Sequence, residues 1–229
     1  MASRFKEQFH IIDSTPAGDD LLDKNEALQT AMETYIGAED AHLERVSGSR
    51  LLGAGKYSFT FALNNELAIK VSGPRTSQMA HEKKKSFWPE DLGEQFAVLS
   101  ALRKHGRLAR ENISVPKQFF VAHSPHDNFI LAQEYMKGWE PIVARTLREY
   151  GDRVDDPAAH EEVGKWTAIF RRRLQAGVED FEHVDRLNDL GLQHEAGIHA
   201  GNVLIPVGAE LGEETPLCII DQPKIKMNI

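Results

Sequence analysis

Leu52-Gly53-Ala54-Gly55-Lys56-Tyr57-Ser58, with the alternating run that follows it, decides how this chain reads. Gly53 and Gly55 let backbone N–H groups approach a phosphate closely, because no Cβ intervenes. The stretch is not a Walker phosphate loop: Lys56 is followed by Tyr57 instead of Ser or Thr, and Arg50 stands where the first glycine belongs. A dinucleotide fingerprint would open a helix. Here the period is two instead. Phe59, Phe61 and Leu63 alternate with Thr60, Ala62 and Asn64, Asn64-Asn65 supplies a turn, and Leu67, Ile69 and Val71 alternate again. The prediction is a β-hairpin whose first strand is preceded by glycines.

Working outward, the segment up to about Asp20 mixes Pro16, Gly18 and acids, and is expected to cover or fray from the surface. Leu21 to Glu44 reads as helix, with Leu21, Leu22, Leu28, Met32 and Ile36 near a 3.6 period. After a polar stretch from Ser72 to Pro89, Glu90 to His105 returns to helix with Leu92, Phe96, Leu99 and Leu102 on one face. Strands are expected at Lys117 to Ala122 and Asn128 to Gln133, with a turn at His123 to Asp127. Helices follow at Val143 to Tyr150 and Glu161 to Gln175, then two short apolar runs, Val203 to Ile205 and Leu217 to Ile220. The class is α+β, sheet-rich first and helix-rich second.

Composition sets outer bounds. Of 229 residues, 41% are hydrophobic and 27% charged, which is too apolar for disorder. The net charge of −8 argues against a general nucleic-acid partner. A single cysteine, Cys218, excludes an intramolecular disulfide framework and fits a reducing, cytoplasmic setting. No stretch reaches the roughly 18 apolar residues of a membrane helix, so no membrane partner is expected. His194-Glu195-Ala196-Gly197-Ile198-His199 is no zinc-protease motif, because its histidines stand roughly 140° apart around a helix.

The order of motifs resembles the protein-kinase-like superfamily, in particular its aminoglycoside-phosphotransferase and RIO-like branch. The carriers are the glycine loop, Ala68-Ile69-Lys70 on a later strand, a helix bearing Glu94, Leu131-Ala132-Gln133-Glu134-Tyr135-Met136-Lys137-Gly138, His199-Ala200-Gly201-Asn202-Val203-Leu204-Ile205, and Ile219-Ile220-Asp221-Gln222-Pro223. Together they span about Leu51 to Pro223. The resemblance implies a cleft for ATP and Mg²⁺. Gly53, Gly55 and Ser58 would cover the phosphates, Lys70 would hold the α- and β-phosphates, and backbone groups of Glu134 and Met136 would meet the adenine. Asn202 and Asp221 would bind the metal. A helix carboxylate would orient Lys70. Glu94 is the candidate, although counting back from Leu99 lands on Gln95, and Glu82 is a further choice.

Two departures make the chain atypical. In the family an aspartate five residues before the loop asparagine accepts the substrate hydroxyl's proton. Here that position is Gly197, and Glu195, His194 or His199 are the residues that could substitute. Only eight residues follow Asp221, so the second lobe is expected to be truncated, with an exposed face that would favour self-association.

The resulting expectation is a protein-kinase-like, two-lobed α+β fold. An N-terminal helical extension (residues 1–49) would precede an N-lobe (50–133) and a minimal, mainly helical C-lobe (134–229). Its function would be ATP- and Mg²⁺-dependent phosphoryl transfer to a protein or small-molecule hydroxyl. The alternative is a pseudokinase that binds nucleotide or contacts another protein. Transfer of AMP, with the nucleotide inverted, is a third possibility without positive support.

Overall fold

The structure, a computed structural model, describes residues 8–33, 49–54, 58–72, 91–125, 128–142, 144–145, 157–178 and 203–220. Contacts divide the chain into two compact units, the first built from Met1–Ala97 and Lys117–Lys137, the second from Val98–Pro116 and Gly138–Ile229.

The first unit is a six-stranded antiparallel sheet in the order β1-β6-β7-β4-β3-β2. Its centre forms where the alternation predicts. β2 (Arg50–Ala54), β3 (Ser58–Ala62) and β4 (Leu67–Ser72) are successive antiparallel neighbours. The β3–β4 turn is closed by Asn64, whose Oδ1 accepts from the N–H groups of Glu66 (2.8 Å) and Leu67 (2.9 Å). A short polar side chain that mimics a backbone acceptor is what makes Asn a turn residue. β6 (Gln118–His123) and β7 (Phe129–Glu134) form the second hairpin, and β7 pairs with β4 along its whole length.

The alternation assigns the two faces of this sheet. Leu67, Ile69 and Val71 join Phe61, Phe120, Ile130 and Ala132 in one buried cluster. That cluster is completed by Phe9, Leu22, Leu28, Ala31 and Met32 from the N-terminal segment. Each large side chain so buried contributes about 1.5–3 kcal/mol. The other face carries Val121 and Leu131, packed with Leu92 and Phe96 of helix α3 (Asp91–Lys104).

The N-terminal segment differs from its sequence reading. Residues expected to cover or fray from the surface form β1 (His10–Ser14), which pairs antiparallel with β6. Its register shifts between Ile11 and Asp13, so Ile12 is left 43% exposed, and the interrupted alternation hid the strand. The expected helix from Leu21 begins earlier and is broken. Thr15 caps α1 (Pro16–Lys24) by accepting from the Gly18 N–H, with Pro16 at the first helical position. Asn25 then caps α2 (Glu26–Ala31) by accepting from the Leu28 N–H at 2.9 Å.

The second unit has a four-stranded sheet in the order β5-β10-β9-β8. β8 (Trp139–Pro141), β9 (Val203–Pro206) and β10 (Leu217–Ile219) are antiparallel neighbours, while β5 (Ile113–Ser114) runs parallel to β10. Its core gathers Val98, Leu99 and Leu102 of α3, Leu108 of α4 (Gly106–Arg110), Trp166, Phe170 and Leu174 of α5 (Pro157–Val178), and Ile205, Leu217 and Ile219. Cys218 is fully buried between these strand residues, as a small apolar side chain would be.

A buried cation ties the loops of this unit together. Arg173 of α5 is only 5% exposed. Its Nη1 donates to the Thr215 carbonyl at 2.8 Å, its Nε to the Glu111 carbonyl at 3.1 Å, and its Nη2 to Glu111 and Asn112 carbonyls. Desolvation pushes this guanidinium below its usual range, with nearby Glu111 opposing that shift. Arginine still stays charged at any ordinary pH, so the side chain acts as a permanent clamp. Arg173→Leu removes the donors and leaves the buried Thr215 carbonyl, with those of Glu111 and Asn112, without this cation. The expected loss is about 3 kcal/mol, read as a thermal midpoint lower by roughly 10 °C. An unchanged midpoint would show that these carbonyls do not depend on Arg173.

Candidate functional site

Lys70 sits on β4, opposite Thr60 of β3 and Leu131 of β7. Alternation puts it on the face that carries Leu131, away from Ile69 and Val71. Its ammonium donates to Oε1 of Gln95 at 3.0 Å. Gln95 belongs to the buried stripe Leu92, Gln95, Phe96, Leu99 of α3, which follows helical spacing. The helix residue that the structure places against Lys70 is therefore Gln95, one position after Glu94. The side chain of Glu94 lies outside the described residues, as does Glu82.

Chemistry orients the Gln95 amide. An ammonium has only donors, so the atom it meets must be the carbonyl oxygen, and the amide NH₂ lies on the other arm. Gln95 is 3% exposed, and its Nε2 is buried with no hydrogen-bond partner among the described residues. A buried donor without an acceptor is rare in folded proteins and calls for an explanation.

The glycine loop spans β2 and β3. Gly53 lies opposite Thr60, and the register shifts between Leu51 and Gly53, leaving Leu52 as the extra residue of a bulge. Ser58 begins β3 opposite Ser72. Gly55 lies outside the described residues.

The segment after β7 is pinned on both sides of Met136. The Glu134 N–H donates to the Lys117 carbonyl at 2.8 Å, and the Lys117 N–H returns a bond to Glu134 Oε2 at 2.9 Å. The Tyr135 N–H donates to Glu66 O at 2.9 Å, and Arg50 bonds the Tyr135 hydroxyl while lying 5.8 Å over its ring. The Lys137 N–H closes a three-residue turn onto Tyr135 O at 2.9 Å. Gly138 follows at φ +81°, a conformation glycine takes without steric cost. Among the described residues, nothing bonds the N–H or C=O of Met136 itself.

Asn202, Asp221, Glu195, His199 and the Gly197 position lie outside the described residues. Val203 and Ile219, their nearest described neighbours in β9 and β10, are direct cross-strand partners. Among the described residues no group of three His, Cys, Asp or Glu side chains could hold a metal ion, and no helix is long and apolar enough to cross a membrane.

No family model and no curated protein matches the sequence. Solved structures similar to the chain include WaaP in complex with acyl carrier protein, at 10% identity and TM-score 0.37, covering 93% of this chain and 70% of that one. The GDP and kanamycin complex of APH(2″)-IIIa matches at 12% identity and TM-score 0.35, covering 89% and 74%. The BubR1 kinase domain matches at 15% identity and TM-score 0.36, covering 90% and 58%. The fold of the described residues is α+β: the glycine-bearing strands, the Lys70 strand, a helix and a strand pair ending at Glu134 follow one another in the order read from the sequence.

Proposed function

We propose that this chain is a nucleotide-binding, kinase-like phosphotransferase that takes ATP with Mg²⁺ and transfers a phosphoryl group to a protein or small-molecule hydroxyl. The observation that carries the reading is the Lys70–Gln95 contact at 3.0 Å, a cation held in place on a central strand by a buried helix residue. An ammonium so held suits phosphate oxygens, because phosphoryl transfer depends mainly on positioning and charge neutralisation. Gly53, Gly55 and Ser58 would close over the phosphates. The unbonded N–H and C=O of Met136, with the neighbouring backbone of Glu134, offer a donor and acceptor to the edge of a purine.

The described residues fit a nucleotide, since a cation, a buried amide nitrogen with no partner among those residues and an open backbone pair all belong to the first unit. Asn202 and Asp221 would hold Mg²⁺ through oxygen atoms, which hard cations prefer. A bound metal would neutralise phosphate charge. Gly197 cannot accept a proton, so Glu195 or His199 would take that role, or transfer would proceed without a base.

That same glycine favours a second reading, a pseudokinase that binds nucleotide without turnover and acts through a protein partner. Thermal unfolding with ATP, with Mg²⁺, and with both tests the nucleotide site. At a hundredfold excess over the dissociation constant, stabilisation is about 2.7 kcal/mol. A shift that needs both ligands and is lost in Asp221→Asn supports the site, and none at millimolar nucleotide overturns it. ADP formation on incubation selects the transferase over the pseudokinase, and AMP formation would select nucleotidyl transfer instead.

A further inference from the structure

We propose that Gln95 is itself a ligand-binding residue: its Oε1 orients Lys70 while its Nε2 donates a hydrogen bond to the same anion that Lys70 binds. The inference rests on reading Lys70 as a phosphate-binding residue and adds a second protein donor to that site.

Two independent observations carry it. The first is the 3.0 Å bond from Lys70 Nζ to Oε1, which fixes which arm of the amide is engaged. The second is Nε2, buried without a partner among the described residues, on a side chain that is 3% exposed. A side chain whose only duty was to orient a lysine would be served better by a carboxylate, which attracts an ammonium by charge and leaves no donor orphaned. Glutamine gives up that attraction and leaves an N–H₂ group unsatisfied. The arrangement becomes economical when an anion arrives, because Oε1 and Nε2 share one planar amide. An oxyanion that meets the Lys70 ammonium on the Nε2 side is bonded by both groups. The terminal torsion of glutamine is broad, so the amide can pivot to reach the ligand without leaving its rotamer well.

The substitution Gln95→Glu separates the two roles. It keeps the acceptor for Lys70, and strengthens it, but removes the donor. If Gln95 only orients the lysine, affinity for the anion is unchanged or improved. If Nε2 binds the anion, affinity falls by on the order of tenfold or more, as expected for a lost hydrogen bond to a charged acceptor. Gln95→Met, close in volume and without polar atoms, removes both functions and tolerates burial. Calorimetric titration of the full chain and both variants with tripolyphosphate, and with ATP and Mg²⁺, reads these affinities.

A measurement on the unsubstituted chain guards against a variant that does not fold. The Gln95 side-chain NH₂ resonance, assigned by its disappearance in Gln95→Met or by selective labelling, is expected to shift downfield when tripolyphosphate is added. Retained affinity in Gln95→Glu, or an NH₂ resonance that ignores the anion, overturns the proposal while leaving the Lys70 site intact. Absence of binding by the unsubstituted chain to either probe brings down the Lys70 reading, and this one with it.

Discussion

Lys70→Ala is expected to abolish the stabilisation conferred by nucleotide and to lower phosphoryl transfer by about 10²–10³, with little change in the fold itself. The separation of the two effects follows from where Lys70 lies. It is a half-buried side chain on the face shared with Leu131, and the neighbouring core residues Ile69 and Val71 belong to the opposite face. Removing the ammonium therefore leaves the sheet core untouched. It does strand Gln95 Oε1 as well as Nε2, which costs about 1–3 kcal/mol. The ligand-free midpoint should fall by a few degrees, while the shift on adding ATP and Mg²⁺ disappears entirely. Lys70→Arg is a sharper version of the same test. It keeps the charge but replaces a compact ammonium with a planar fork that cannot occupy the same position against Oε1. Turnover should drop by a comparable factor although net charge is unchanged. Normal turnover in Lys70→Ala would remove the cation from the mechanism.

Gly18→Ala is expected to cost about 3–5 kcal/mol. A Cβ built on Gly18 would stand 1.9 Å from the Phe119 carbonyl oxygen and 2.5 Å from its carbon. Both atoms are backbone of β6, so no side-chain rotation relieves the clash. Nor can α1 lift away easily. The Thr15 N–H donates to Phe119 O at 2.9 Å, and the Thr15 hydroxyl reaches Gln118 O at 3.1 Å. Displacing the helix would break these bonds and uncover Leu22, Leu28 and Met32, all with 1% exposure or less. Hydrogen exchange should therefore rise across β1, α1 and α2 before the rest of the sheet opens. Gly164 in α5 provides the internal contrast, because a Cβ there meets nothing within 4 Å. Gly164→Ala is expected to stabilise by about 0.5–1 kcal/mol, through lower backbone entropy in the unfolded chain. Equal midpoints for the two variants would refute the close approach at Gly18.

These predictions draw unequally on sequence and structure. The β3–β4 hairpin, the helix at Asp91–Lys104 and the strand pair β6–β7 lie within a residue or two of their sequence reading, because local alternation and turn chemistry coincide there with tertiary packing. β9 and β10 were legible as apolar runs for the same reason. β1, β5 and β8 were not. β5 is two residues long and exists only because β10 lies alongside it, and β8 depends likewise on β9. Pairings between residues 63 to 113 positions apart leave no local pattern to read.

The candidate site divides in the same way. Lys70 was singled out through the resemblance, as the lysine of Ala68-Ile69-Lys70 on a strand after the glycine loop. Its partner was not. Residue type favoured Glu94, because a carboxylate is the obvious counterion, while helical counting pointed to Gln95. The packing of Leu92 and Phe96 under Leu131 sets the rotation of α3, and that rotation brings Gln95 to the ammonium.

The sequence by itself determined the α+β class and the order of the strands and helices around Ala68-Ile69-Lys70, which rest on interactions between near neighbours in the chain. Only the tertiary structure decided which helix residue faces Lys70, that the N-terminal segment adds a strand and a second face to the sheet core, and that Gly18 must lack a side chain. Each of those depends on how one element is rotated or pressed against another, and short-range periodicity carries no record of such long-range contacts.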